Sequence, residues 1–279
     1  MSAEHVASQT ARDPLDPRAI RHDLIHFGVV TLALSWIPWI VLAAVHADID
    51  SGPGALVFAA AAAGPSLAAL GMRGHGRRCP EEFKARWNVR WPVAALLFAG
   101  APALIVAVLA HLGDLNVIPE HASSTIASAG GPLGALAYTL ISGPLSEEFG
   151  WRGFVQPRLR RTLRVLPTTL VIGSAWVVWH VPLFFVPGTG QHDDGIGSLS
   201  GVLFFVGLFP LSYTMLFVSE RLRGGVWAAI LAHASYNLSE ALVPDPNTVA
   251  TAAKTAVTFL VAALCWILSN GPERSPKRT

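Results

Sequence analysis

The feature that most restricts this chain is a series of apolar blocks, each about as long as a bilayer core is thick, running almost from end to end. A membrane-crossing helix needs about 20 consecutive, largely apolar residues. Blocks of that kind lie near 27–47, 54–71, 91–112, 131–157, 166–186, 197–218, 225–243 and 251–268. Only 14% of the 279 residues are charged, against roughly 25% in an ordinary soluble domain. That excludes a disordered chain and argues against a soluble enzyme. The reading is an all-α polytopic membrane protein, a bundle of about eight transmembrane helices. The Ala-rich block 54–71 suits close packing of small faces against neighbouring helices.

Basic residues test this count independently, because cytoplasmic loops collect Lys and Arg. Arg12, Arg18 and Arg21 precede the first block; Arg73, Arg77, Arg78, Lys84, Arg86 and Arg90 follow the second; Arg152, Arg158, Arg160, Arg161 and Arg164 end the fourth. Arg221 and Arg223 follow the sixth, and Arg274, Lys277 and Arg278 form the tail, while the loops 48–53, 113–130, 187–196 and 244–250 hold none. Of 20 basic residues only Lys254 falls on the other side, which predicts a multi-pass protein of the cell membrane with both termini in the cytoplasm. The expected organisation is a cytoplasmic segment 1–26, a single transmembrane domain 27–268 and a tail 269–279. The compact loops point to a bacterial protein.

Other features narrow the function. The first 26 residues carry Asp13, Asp16 and Asp23 and no apolar core of signal-peptide type, so no cleavable secretion signal is expected. Cys79 and Cys265 make neither a disulfide framework nor a metal-ligand spacing. A formal charge of +2 gives no reason to expect nucleic acid. No internal repeat or soluble domain is visible. Pro38, Pro65, Pro102, Pro144, Pro182 and Pro210 fall inside the blocks and predict kinked helices with room for cavities.

The fourth block is unusual because its apolar part runs into Glu147 and Glu148. A helix over 131–157 would be about 40 Å long and would hold Glu147 about 15 Å from its cytoplasmic end. Ionisable residues at that depth normally face a bundle interior and mark a functional site. Glu148 and Arg152 stand i,i+4 and share a face, whereas Glu147 is turned about 100° away with no opposite charge on its own helix. A paired Glu148 suits holding the helix end; Glu147 suits a general base working on water. His180 in the fifth block, and His233 with Asn237 one turn apart in the seventh, fall at a similar depth.

These residues form motifs. Glu147-Glu148-Phe149-Gly150-Trp151-Arg152 fits E-E-x-x-x-R, Trp176-Val177-Val178-Trp179-His180 resembles F-x-x-x-H, and His233-Ala234-Ser235-Tyr236-Asn237 fits H-x-x-x-N. In this order the trio resembles the CPBP intramembrane proteases, which include CAAX-processing Rce1-type enzymes and bacterial bacteriocin-processing or immunity proteins of the Abi group. The resemblance covers about residues 130–245, with Trp176 where the motif usually has Phe. It implies peptide-bond hydrolysis inside the membrane: Glu147 with His180 activating water, Glu148 and Arg152 supporting the helix, His233 and Asn237 binding the oxyanion. The implied substrate is a membrane-embedded or lipidated peptide or protein, met in the lipid bilayer.

Two chemistries remain open at this level. Glu147, His180 and His233 could form a zinc site with a position left for water. The absence of H-E-x-x-H and the poor ligand quality of Asn favour a metal-free Glu/His scheme. Buried Glu, His and Arg also build ion pathways in transporters, although no repeat or matched pair of broken helices is visible. A non-catalytic scaffold or immunity protein using the same polar cluster is the third reading.

Overall fold

The computed structural model describes residues 17–73, 85–244 and 247–270. Arg12, Arg77, Arg78, Lys84, Arg274, Lys277, Arg278, Asp13, Asp16 and Cys79, used above, lie outside the described residues. In chain order the helices are α1 (Pro17–Ala44), α2 (Gly52–Ala62), α3 (Gly64–Arg73), α4 (Arg90–Ala110), α5 (Val117–Ser128), α6 (Pro132–Ile141), α7 (Pro144–Gly150), α8 (Gln156–Leu159), α9 (Val165–His180), α10 (Gly190–Asp194), α11 (Leu199–Leu216), α12 (Gly225–Leu242) and α13 (Thr248–Asn270). Among the described residues there is no strand. The chain is an all-helical, multi-pass membrane protein.

Among the described residues five stretches are long and apolar enough to cross a membrane as single helices: α1, α4, Val165–Phe185, Leu199–Arg221 and α13. A sixth is the pair α2 and α3, bent by 52°. The block 225–243 forms α12, whose His233, Asn237 and Glu240 make it more polar than these. The block 131–157 is not the single helix expected from its length: α6 ends at Ile141 and α7 begins at Pro144. Proline has no N–H for the carbonyl four residues back, and its ring displaces that carbonyl; as the opening residue of a new helix it fits well. The hydroxyl of Ser146 donates to the Ile141 carbonyl at 2.5 Å, and that of Ser66 to the Leu145 carbonyl at 2.9 Å, so the break is hydrogen-bonded inside the bundle. From Pro144 the helix runs through the acidic pair, loosens into a π turn over Trp151–Val155 and ends in α8.

The bend between α2 and α3 has the same cause. Pro65 cannot offer an N–H to Ala61, and the Ser35 hydroxyl of α1 donates to the Ala61 carbonyl instead, at 2.7 Å. Both breaks carry Gly-Pro with a second Gly seven residues after the first: Gly64, Pro65, Gly71 and Gly143, Pro144, Gly150. The two restarted helices pack directly on each other. The chain thus holds a pair of broken helices that the sequence search for repeats does not reveal. At Gly150 an added Cβ would lie 2.6 Å from the backbone of Pro65. Gly150→Ala is therefore expected to push α3 and α7 apart, at about 1–3 kcal/mol for overpacking. The measurement is the thermal unfolding midpoint of the detergent-purified protein, and an unchanged midpoint would show that α3 yields freely.

Packing around this pair follows membrane rules. On α1 every fourth residue from Phe27 to Trp39 is buried (Phe27, Thr31, Ser35, Trp39), while Ile25, Val29, Ile37 and Ile40 face outward, where lipid tails are as good a solvent as a protein core. Ala95, Ala99 and Ala103 of α4 and Ala228, Ala229 and Ala232 of α12 are buried, and the small side chains let these two helices approach closely. Phe27 stacks on Phe154 of the π turn with centroids 5.2 Å apart. Trp39 meets Trp179 of α9 edge-on at 4.9 Å, and the Trp179 indole donates to Ser35 at 2.8 Å. This aromatic column holds the π turn and α9 at fixed positions against α1.

The basic residues sort into two kinds. Arg158 reaches Asp23 at 3.4 Å and Arg160 reaches Glu220 at 2.9 Å, tying α8 to α1 and to the end of the α11 segment. Arg152, counted above with the residues that end the fourth block, is instead buried in the bundle. Lys254, the one exception to the loop pattern, pairs with Glu240 and joins α13 to α12.

Candidate active site

Three segments supply the polar centre: α7 with its π turn, α9 and α12. Successive residues on a helix point about 100° apart, so Glu147 and Glu148 leave α7 in different directions and meet different partners. Glu148 is fully buried. It accepts from Arg152 one turn along at 3.1 Å and from His233 Nδ1 on α12 at 2.8 Å. The Glu148–Arg152 pairing expected from the i,i+4 spacing is thus present. Arg152 also donates to Ser212 on α11 at 3.2 Å and lays its guanidinium over the Trp176 ring, 4.4 Å from the centroid. One ion pair therefore joins α7, α9, α11 and α12.

Glu147, also buried, has a different environment. Its Oε2 accepts from the Trp176 indole N–H at 2.5 Å, and its Oε1 faces Gly143 at the helix break. A Cβ on Gly143 would stand 3.3 Å from Glu147 Oε1, 3.2 Å from His233 Nε2 and 3.1 Å from Asn237 Nδ2. These three atoms converge on the side of Gly143 where a side chain would be, each closer than a Cβ is ordinarily approached. Since a carboxylate only accepts, the Glu148 contact fixes the proton on His233 Nδ1 and turns Nε2 toward Gly143.

His180 is placed differently from its expected partnership. Its Nδ1 donates to the Trp176 carbonyl at 2.8 Å, since a carbonyl only accepts. Its ring is packed edge-on against Trp179 and Phe204 with centroids 4.8 and 5.2 Å away. It joins the cluster through Trp176, and no hydrogen bond to Glu147 is present among the described residues. Depth in the bundle brought His180 to the right level, but the rotation of α9 turns Trp176 toward Glu147. Trp176 is the residue that sequence reasoning undervalued. Its substitution for Phe in the motif adds an N–H donor, and that was the available signal.

The donor atoms of Glu147, Glu148 and His233 lie within 4.8 Å of one another, close enough to hold a divalent ion. This differs from the set Glu147, His180 and His233 expected from sequence, for Glu148 takes the place of His180. Two of the three donors are already committed to each other, and Glu148 also faces the Arg152 guanidinium. A cation placed there would meet like charge at its own ligand. The donor set therefore fits an internal hydrogen-bonded network better than a metal centre.

Comparison with known proteins agrees with the motifs. Residues 129–239 match the family described as type II CAAX prenyl endopeptidase Rce1-like. A protein named CAAX prenyl protease 2 from Methanococcus maripaludis is 28% identical over 130 residues, which is 45% of this chain and 46% of that one. The chain thus matches just under half the length of this relative. The matched region contains every residue of the polar centre on α7, α9, α11 and α12.

Proposed function

We propose that the chain is an intramembrane endopeptidase that hydrolyses a peptide bond of a membrane-associated, prenylated or otherwise lipidated peptide. The observation that carries this reading is the convergence of Glu147 Oε1, His233 Nε2 and Asn237 Nδ2 beside Gly143, which has no side chain. Amide hydrolysis needs a base for water, a proton for the leaving nitrogen and donors for the developing oxyanion, all in a dry site. In this reading Glu147 takes a proton from water as its oxygen bonds to the scissile carbonyl carbon. His180 assists from α9, with Nε2 as the acceptor. Asn237 and a protonated His233 donate to the oxyanion. The proton then passes to the amide nitrogen, the C–N bond breaks, and a carboxylate and an amine leave.

Charge balance supports this division. The cluster contains two carboxylates and one permanent cation, Arg152. A buried net charge is costly, so one further proton belongs to Glu147 or His233. Held on His233, that proton is the one offered to the oxyanion, and Glu147 is left free to take its proton from water. Glu148 and Arg152 hold His233 and the helix without touching substrate. Because Glu148 is spent in this way, we read the hydrolysis as metal-free.

An apolar groove supports the lipidated substrate. It is lined by Trp87, Trp91, Leu140, Leu145, Trp227 and Leu231, with a cavity of about 590 Å³. Leu140 and Leu145 flank the break at Ser142 and Gly143, so an apolar tail in the groove would lead its peptide to the polar centre. The paired broken helices resemble those of a carrier, but residues Gly64–Met72 of α3 include no ionisable one. We place the single transmembrane domain, residues 27–268, in the cell membrane with both termini cytoplasmic.

The test uses purified protein in nanodiscs, a farnesylated peptide and its unlipidated counterpart, with mass spectrometry of the products. Cleavage of the farnesylated peptide is expected, undiminished by 1,10-phenanthroline. No cleavage of either peptide would count against the protease reading for this substrate class. Loss of cleavage on chelation, restored by zinc, would overturn the metal-free scheme.

A further inference from the structure

Trp176 is fully buried on α9 and touches four residues of the polar centre. Its indole N–H bonds Glu147 at 2.5 Å, its ring face lies under Arg152, its edge meets His233 with centroids 5.4 Å apart, and its carbonyl holds His180 at 2.8 Å. An indole N–H is a donor only. It therefore occupies a lone pair on Oε2 permanently and cannot take over the role of base itself. Glu147 has no ion partner on its own helix, and among its described hydrogen bonds the indole contact is the one that fixes its carboxylate plane. With Oε2 held, Oε1 is the oxygen that faces Gly143, His233 and Asn237.

Resting on the reading of Glu147 as base, we propose that Trp176 is the positioning residue of this site, its indole N–H holding Oε2 so that Oε1 alone receives the proton from water. A Phe at this position, as in the motif the chain resembles, would keep the ring under Arg152 and lack the donor. The carboxylate would then turn about its side-chain torsions and sample orientations in which neither oxygen faces Gly143, His233 and Asn237. Misplacement of a reacting group by about 1 Å can lower turnover by about 100-fold.

The experiment compares wild type, Trp176→Phe, Glu147→Gln and Glu147→Ala in nanodiscs, using the farnesylated peptide. Trp176→Phe is expected to lower kcat by about 10- to 100-fold with KM within about 2-fold. A role in packing alone would instead lower the unfolding midpoint with kcat little changed in the folded fraction. In parallel, ¹⁵N-indole NMR of wild type should show one strongly hydrogen-bonded N–H that shifts in Glu147→Ala. An unchanged kcat in Trp176→Phe, with Glu147→Gln inactive, overturns the positioning role and leaves the base intact. Full activity of Glu147→Gln overturns the base itself. If Trp176→Phe does not fold, the indole spectrum decides: no resonance that responds to Glu147→Ala overturns the proposal.

Discussion

Glu147→Gln is expected to reduce kcat by about 10³-fold, within the roughly 10²- to 10⁴-fold range of a positioned general base, and to leave KM and the fold almost unchanged. The change is isosteric. A Gln carbonyl oxygen can still accept from the Trp176 indole, so the link between α7 and α9 survives. What changes is the other terminal atom. Beside Gly143 an amide NH₂ replaces Oε1, presenting hydrogens to water where the carboxylate presents a lone pair. On the proposed reading substrate binding rests on the apolar groove and is not touched, so the loss belongs to kcat. Single-turnover cleavage of a farnesylated peptide in nanodiscs measures it directly. Cleavage within 10-fold of wild type would mean that another group takes the proton.

Much of this arrangement could be read from sequence, though unevenly. Among the described residues apolar block length located the five single-helix spans and the bent pair, though two of its eight blocks, 131–157 and 225–243, are not such spans, and the i,i+4 rule found the Glu148–Arg152 pair because both are local properties of a helix. Pro144 predicts a kink in the fourth block, but not that the helix stops at Ile141 and restarts as a separate one. A hydropathy count adds up apolar character and cannot separate one straight helix from two halves. The dipeptides Gly64-Pro65 and Gly143-Pro144 were the available cue, and their equal spacing to Gly71 and Gly150 becomes meaningful only once α3 is seen against α7. The partner of Glu148 on α12 lies 85 positions away, and no local pattern encodes which of two histidines at similar depth turns toward it. His180 and Trp176 are one turn apart on α9; depth alone treats them alike, and only the rotation set by the column of Trp39, Trp179 and Phe27 distinguishes them.

Arg152→Met is expected to be the most damaging single change to folding. Glu148 has no exposed side-chain surface, and removal of Arg152 would leave its carboxylate to His233 alone, with Ser212 and the face of Trp176 also losing a partner. Breaking a buried ion pair from one side typically costs about 3–5 kcal/mol, because the surviving charge stays buried without compensation. Replacing both members avoids most of that penalty, so Glu148→Gln combined with Arg152→Met should unfold at a midpoint between the single Arg152→Met variant and wild type. Heating the detergent-purified proteins and following loss of helical circular dichroism tests the order. The same double variant separates stability from chemistry. It restores neutrality but leaves His233 facing an amide in place of a carboxylate, so the ring loses the charged acceptor that orients it. Recovered folding with turnover still reduced by about 10-fold or more is the expected result. Recovery of both together would mean that Glu148 acts only as Arg152's counterion.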